Sequence, residues 1–328
     1  MSCPDLNVPA PFWLLGGHMQ TIWPALFSRA FSEHKPQYTR QRWDAPDGDF
    51  VDVDFSTHAV ESSTPFLVLF HGLEGSSQSH YALAFADWAR VRKIPLAIPH
   101  FRGCSGEVNR MPRAYHSGDF EEIDWLLRRI KASHPNRQLI VVGVSLGGNA
   151  LMRWAQEMGK EAAKVVSAVA SVSSPLDLMS SGHWIGLGLN RHIYTPLFLR
   201  TMKPKALERL ALHPGLFDGK KLQASQNLYE FDNVFTAPLH GFKNTEDYWR
   251  RASAKPRMAD IQIPALALNA LNDPFMPVSS LPKKSEVGQH VTLWQPAHGG
   301  HVGFAQGGFQ THVHAMPHAV GQWLLNKC

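Results

Sequence analysis

The sequence predicts an α/β fold, a doubly wound and mostly parallel sheet with helices on both faces, and three observations lead there. Six short apolar runs rich in β-branched residues recur along the chain, as strands buried on both faces require. Helical patterns separate several of them, and strand, helix, strand in repetition builds a parallel sheet. Residues 175–256 break the alternation, with no convincing strand.

In chain order, residues 39–56 (YTRQRWDAPDGDFVDVDF) form two extended segments around the turn signal Pro46-Asp47-Gly48, an N-terminal antiparallel hairpin. The runs FLVLF (66–70), PLAIPHF (95–101), QLIVVGV (138–144), VVSAVASV (165–172), IPALALNA (263–270) and HVTLWQ (290–295) come next as strands. Helices are expected over 79–92, 119–131, 148–158 and 316–327. In the second of these, Phe120, Ile123, Leu127 and Ile130 share a face, acids occupy the first turn and bases the last, and Ser117 is the expected N-cap. Most αβ loops run about 2–6 residues, so residues 175–256 are too long for a connection. They are expected to form a helical cap, or lid, over the C-terminal edge of the sheet. The chain, 1–328, then counts as a single domain with the cap inserted in it and residues 1–38 as an N-terminal arm.

A chain of 328 residues hides about 75% of its unfolded surface, so it needs neither disulfide nor metal for stability. With 44% hydrophobic, 10% aromatic and 18% charged residues, the composition excludes disorder, collagen and coiled coil. The 32 basic residues exceed the 27 acidic ones by five, but they stand in isolated pairs such as Arg128-Arg129 and Lys283-Lys284. Without a dense basic stripe no nucleic-acid partner is expected. Cys3, Cys104 and Cys328 lie far apart, which excludes a disulfide framework and a CxxC zinc site and points to a reducing, cytoplasmic location. No secretory signal is expected at the N-terminus. The stretch from Phe12 to Phe27 is interrupted by Gly16, Gly17, His18, Gln20 and Pro24, too short and broken to cross a bilayer. It reads as a packed arm, with peripheral membrane contact as the alternative.

The strongest chemical signal is Gly143-Val144-Ser145-Leu146-Gly147-Gly148, set directly between a predicted strand and a helical pattern. A GxSxG pentapeptide alone is common, but this context is that of a nucleophile elbow, a strained turn that lifts the serine Oγ over the sheet edge. A serine nucleophile needs a base, and the base an orienting acid. On such a fold they come in the order Ser, Asp or Glu, His. Asp273, after IPALALNA, and His301, after HVTLWQ, occupy those places. Asp260 and Asp177 are weaker acids, since one precedes its strand and the other opens the cap. His298 competes with His301 as base. His301 is preferred, because Gly299 and Gly300 give a flexible loop tip and Val302 and Phe304 anchor the next segment of chain, while His298 is expected to bond locally. An oxyanion hole should combine the N–H of Leu146 with that of Leu73 in the loop His71-Gly72-Leu73-Glu74-Gly75.

HGLEGSS, FRGCSGE, RAYHSGD, GVSLGGN, FDNVFTAPLHGF, ALNDPFMP and HGGHVGF together resemble the YheT-like branch of the α/β-hydrolases (the AB hydrolase 4 family), which also holds eukaryotic ABHD proteins. The likeness runs from about residue 12 to about residue 325. It implies the α/β-hydrolase fold, a triad of Ser145, Asp273 and His301, carboxylesterase-like activity on acyl esters through an acyl-serine, and a small-molecule or lipid-like ester as partner. The membrane anchor of several eukaryotic relatives is not expected here, and His116-Ser117-Gly118-Asp119 lacks the spacing of an acyltransferase motif seen in some.

No cofactor and no metal are expected for this chemistry. Apolar residues of the cap from Trp184 to Leu199, with Phe12, Trp13 and Trp23, are candidates for an acyl pocket. Three alternatives stand beside the esterase: acyl transfer to an alcohol or amine, a silent binding protein on the same fold, and a metal site at His312, His314 and His318, the last read mostly as a solvated or capping cluster. Most of the 18 histidines are expected at the surface. The sequence gives no oligomeric state.

Overall fold

The computed structural model describes residues 10–328; Cys3 and the first residues of the arm lie outside them. The hairpin forms as expected, with β1 (Tyr38–Asp44) and β2 (Phe50–Ser56) antiparallel around the Asp47-Gly48 turn. The six apolar runs become β3 (Phe66–Phe70), β4 (Leu96–Pro99), β5 (Leu139–Val144), β6 (Ala168–Val172), β7 (Ala265–Leu268) and β8 (Val291–Trp294). They join in the order β1-β2-β4-β3-β5-β6-β7-β8, parallel from β4 onward. The chain adds β4 on one side of β3 and β5 on the other. Such a switch point opens a crevice at the strands' C-terminal ends.

The helices are α1 (Gly16–Phe27), α2 (His80–Val91), α3 (Phe120–Ser133), α4 (Leu146–Met158), then α5 (Leu178–Ile185), α6 (Gly188–Leu212), α7 (Gly219–Ala224), α8 (Leu228–Val234), α9 (Thr236–Leu239) and α10 (Thr245–Ala252), and finally α11 (Ala315–Leu325). β3, β5 and β6 are buried on both faces, which is why their residues are apolar without alternation. On one face Val68, Val141 and Val169 pack against Ile123 and Leu127 of α3 and Leu151 and Trp154 of α4. On the other, Leu67, Ile140 and Ala170 pack against Phe85 of α2 and Val320 of α11.

Two boundaries differ from expectation. α3 is capped by Asp119, whose side chain accepts from the Glu122 N–H, while the Ser117 hydroxyl lies beside the Asn149 amide at 3.1 Å. α4 starts at Leu146, directly after the elbow serine. Between β6 and β7 lie only helices and turns, α5 to α10, with two small cores of their own, one around Phe231 and Phe235 and one around Tyr248 and Trp249.

Candidate active site

Ser145 sits at φ 53°, ψ −120°, in the left-handed region that a side chain rarely adopts, at the corner between β5 and α4. The crossing is tight. A Cβ on Gly147 would come within 2.4 Å of the His71 carbonyl oxygen and 2.7 Å of that of Phe70, so only glycine lets α4 start this close to β3. The turn presents the Ser145 Oγ 3.1 Å from Nε2 of His301. Nδ1 of the same ring lies 2.9 Å from Oδ2 of Asp273, whose Oδ1 accepts from the Phe275 N–H at 2.8 Å. His301 and Asp273 are both buried, at 9% and 4% exposure. A carboxylate on Nδ1 holds the proton there and leaves Nε2 as the acceptor facing the serine.

The sequence-predicted donors lie beside this trio. Leu73 and Leu146 line one pocket with Ser145 and His301, and among the described residues neither N–H has a backbone or side-chain partner. His71 anchors that loop: its Nε2 accepts from the Phe101 N–H at 3.0 Å, and its Nδ1 donates to the Gly72 carbonyl at 2.8 Å. Burial pushes its pKa down to about 3, so it is a neutral brace.

The family to which this arrangement belongs is settled by comparison. A family profile described as the alpha/beta hydrolase fold matches residues 65–308. The chain belongs to the α/β-hydrolase family. This α/β-hydrolase is similar to YheT of Escherichia coli (strain K12), which bears a provisional esterase name, at 38% identity over 88% of this chain and 84% of YheT. It is similar to human phospholipase ABHD3 at 26% identity over 90% of this chain and 73% of that protein. The crystal structure of a bacterial membrane phospholipase A shares the fold, with a TM-score of 0.53 at 16% identity over 88% of this chain and 86% of that one.

Several residues of this α/β-hydrolase were not singled out by sequence. In α1, the Gln20 Oε1 accepts from the Asn272 side chain (2.8 Å) and the Gly299 N–H (3.0 Å), while the Thr21 hydroxyl accepts from the His301 N–H (2.8 Å). Asn272 in turn accepts from the Gly300 N–H at 3.0 Å. One helix thereby ties the Asp273 loop to the His301 loop. Phe275 stacks on the His301 ring, with centroids 3.9 Å apart. The only signal for Gln20 was that it interrupts an apolar stretch, and Thr21 carried none.

Other expectations are corrected. Gly299 and Gly300 are not a flexible tip; they are buried, and a Cβ on Gly300 would meet the Gln20 backbone at 2.6 Å, so they are small because α1 presses on them. His298 is exposed, and its ring makes no hydrogen bond among the described residues. Asp177 caps α5 and Asp260 pairs with Arg257. Of the proposed acyl-pocket residues, Ile185 and Phe198 line the pocket. Trp184, Leu187, Leu189 and Leu197 are exposed, Leu199 packs within the excursion, and Phe12, Trp13 and Trp23 cluster around Phe309 and Phe27. Five histidines, His34, His183, His192, His298 and His318, are exposed, ten are half-buried, and three, His71, His100 and His301, are buried. The rings of His312 and His314 stack, His318 meets Arg92, and no group of three or more metal-ligating side chains occurs among the described residues.

Proposed function

We propose that this chain is a serine hydrolase that cleaves carboxylic esters through an acyl-serine intermediate. The observation that carries the reading is the continuous line from Ser145 Oγ through the His301 ring to Asp273, at 3.1 and 2.9 Å, beside two N–H groups unpaired among the described residues.

In this reading Nε2 of His301 takes the Ser145 proton as Oγ attacks the acyl carbon. The oxyanion that forms is held by the N–H groups of Leu146 and Leu73, donors already oriented before reaction. Asp273 keeps the imidazole in the reactive tautomer and stabilises the imidazolium. When the intermediate collapses, His301 returns the proton to the leaving alcohol; water, activated by the same nitrogen, then releases the acid and frees Ser145.

Residues 175–256 act as the cap, closing the pocket with largely apolar side chains such as Ile185, Phe198, Leu228 and Phe231. That lining suits an acyl chain or another lipid-like group. No helix of the described residues is long and apolar enough to cross a membrane; a cytoplasmic site of action rests on the spacing of the cysteines. The test is a chain-length panel of 4-nitrophenyl esters. The wild type should turn over at least part of the panel, and Ser145→Ala should remove that turnover. Hydrolysis that survives the substitution would overturn the reading.

A further inference from the structure

We infer that the pocket contains an oxyanion site in which Arg209 of α6 binds a carboxylate or phosphate carried by the ester substrate. This rests on the hydrolase reading and adds to it a substrate class.

Arg209 is only 4% exposed and lines the same pocket as Ser145 and His301. Its Nη1 donates to the carbonyls of Pro112, at 3.0 Å, and Arg113. Nε and Nη2 have no partner among the described residues, yet they are not sealed away as buried unpaired atoms. Gly103, another lining residue, leaves room beside Nη2: a Cβ there would stand 3.8 Å from it.

The neighbouring cations are already neutralised. Arg102 is held by Asp47 (2.7 Å), Asp49 (3.0 Å) and Glu122 (2.5 Å), and Lys205 by Glu74 (2.7 Å). Asp49, whose charge reaches Arg209 at a distance, has its oxygens taken by Arg102, Asn109 and the N–H groups of Phe50 and Arg110. Asp232, the acid on the lining from α8, accepts from Thr236 and Trp249. Arg209 is thus a buried cation without a paired carboxylate. Guanidinium does not shed its proton, and the two carbonyls on Nη1 and the distant charge of Asp49 offset its desolvation only in part, so an arriving anion would offset the rest. Nε and Nη2 form the paired donors that carboxylate and phosphate oxygens match.

The test compares mono-4-nitrophenyl esters of dicarboxylic acids with 4-nitrophenyl esters of monocarboxylic acids of equal length. A second arm compares acylglycerol phosphates with acylglycerols. Wild type should favour the anionic member of one arm by about tenfold or more in kcat/KM, chiefly through KM. In Arg209→Gln that ratio should fall to about one. Equal rates on both members in wild type, a ratio unchanged in the variant, or equal loss on both members as from a broken structural clamp would each overturn the site. If Arg209→Gln does not fold, Arg209→Lys decides, since it keeps the charge but loses the paired donors and must show a smaller ratio than wild type. Fluorophosphonate labelling of the same preparations separates the two claims. Unlabelled wild type would sink the hydrolase reading and the site with it; labelled enzyme without preference would sink the site alone.

Discussion

The sheet edge that carries Ser145, Asp273 and His301 and the helical excursion that shares its pocket are built on different terms. At the edge, the side chains of the proposed triad are fixed several times over. Ser145 is held in a left-handed turn that Gly147 makes room for, and His301 by Asp273, Thr21 and the stacked Phe275. The excursion rests on two small cores of its own and meets the pocket through mostly apolar side chains, with Lys205, Arg209 and Asp232 among them. The contrast separates geometry that must hold to fractions of an ångström from a surface that need only have the right shape. In the proposed reading, chemistry belongs to the first and selectivity to the second.

Substitutions should respect that division. Asp273→Asn leaves the shape but permits the wrong imidazole tautomer, so kcat should drop about 10⁴-fold with little change in KM. A steady-state comparison on one ester checks this, and a fall confined to KM would break the contrast. Gln20→Leu removes the acceptor that joins the Asp273 and His301 loops. Misplacement of that kind should cost about 10²-fold in kcat, although Gln20 touches no reacting atom.

The two regions also answer pH with opposite signs. At the edge, burial lowers the His71 pKa to about 3, so below about 6.5 the unfolded chain binds a proton that the fold refuses. Stability conferred there is complete above that pH and is lost as pH falls. In the excursion, burial raises the Asp232 pKa from 3.8 to about 6, so the fold takes up a proton that the unfolded chain lacks, and stability rises as pH falls through that window. Asp232→Asn should therefore steepen the loss of stability on acidification between those values, by up to about 1.4 kcal/mol per pH unit. Urea unfolding at several pH values reads the slope; an unchanged slope would remove the distinction. The smallest effect belongs to the pocket wall. Phe198→Ala should lower kcat/KM for long acyl chains by about tenfold or less and leave short chains almost untouched.

How far the sequence foretold each region divides along the same line. Strand runs and the GVSLGG elbow are local patterns, and they matched β3 to β8 and the position of Ser145. The excursion was harder to read because α6 runs through Pro196 and Pro204, residues that elsewhere end helices, so its 25-residue length left no periodic trace. Which apolar residues faced the pocket was equally hidden, and of those expected only Ile185 and Phe198 do. At the edge, the features that escaped were long-range. Gln20 and Thr21 meet Gly299 and His301 across 279 and 280 residues of chain, a relation no local spacing encodes. The Asp119 cap was missed for a simpler reason, since Ser117 lies two residues away and is as good a capping residue by type.

The most direct test of the central claim is covalent. Wild-type protein treated with a fluorophosphonate and mapped by peptide mass spectrometry should carry one adduct, on Ser145, which competing ester slows and Ser145→Ala abolishes. An unmodified protein, or an adduct that persists in Ser145→Ala, would contradict the account.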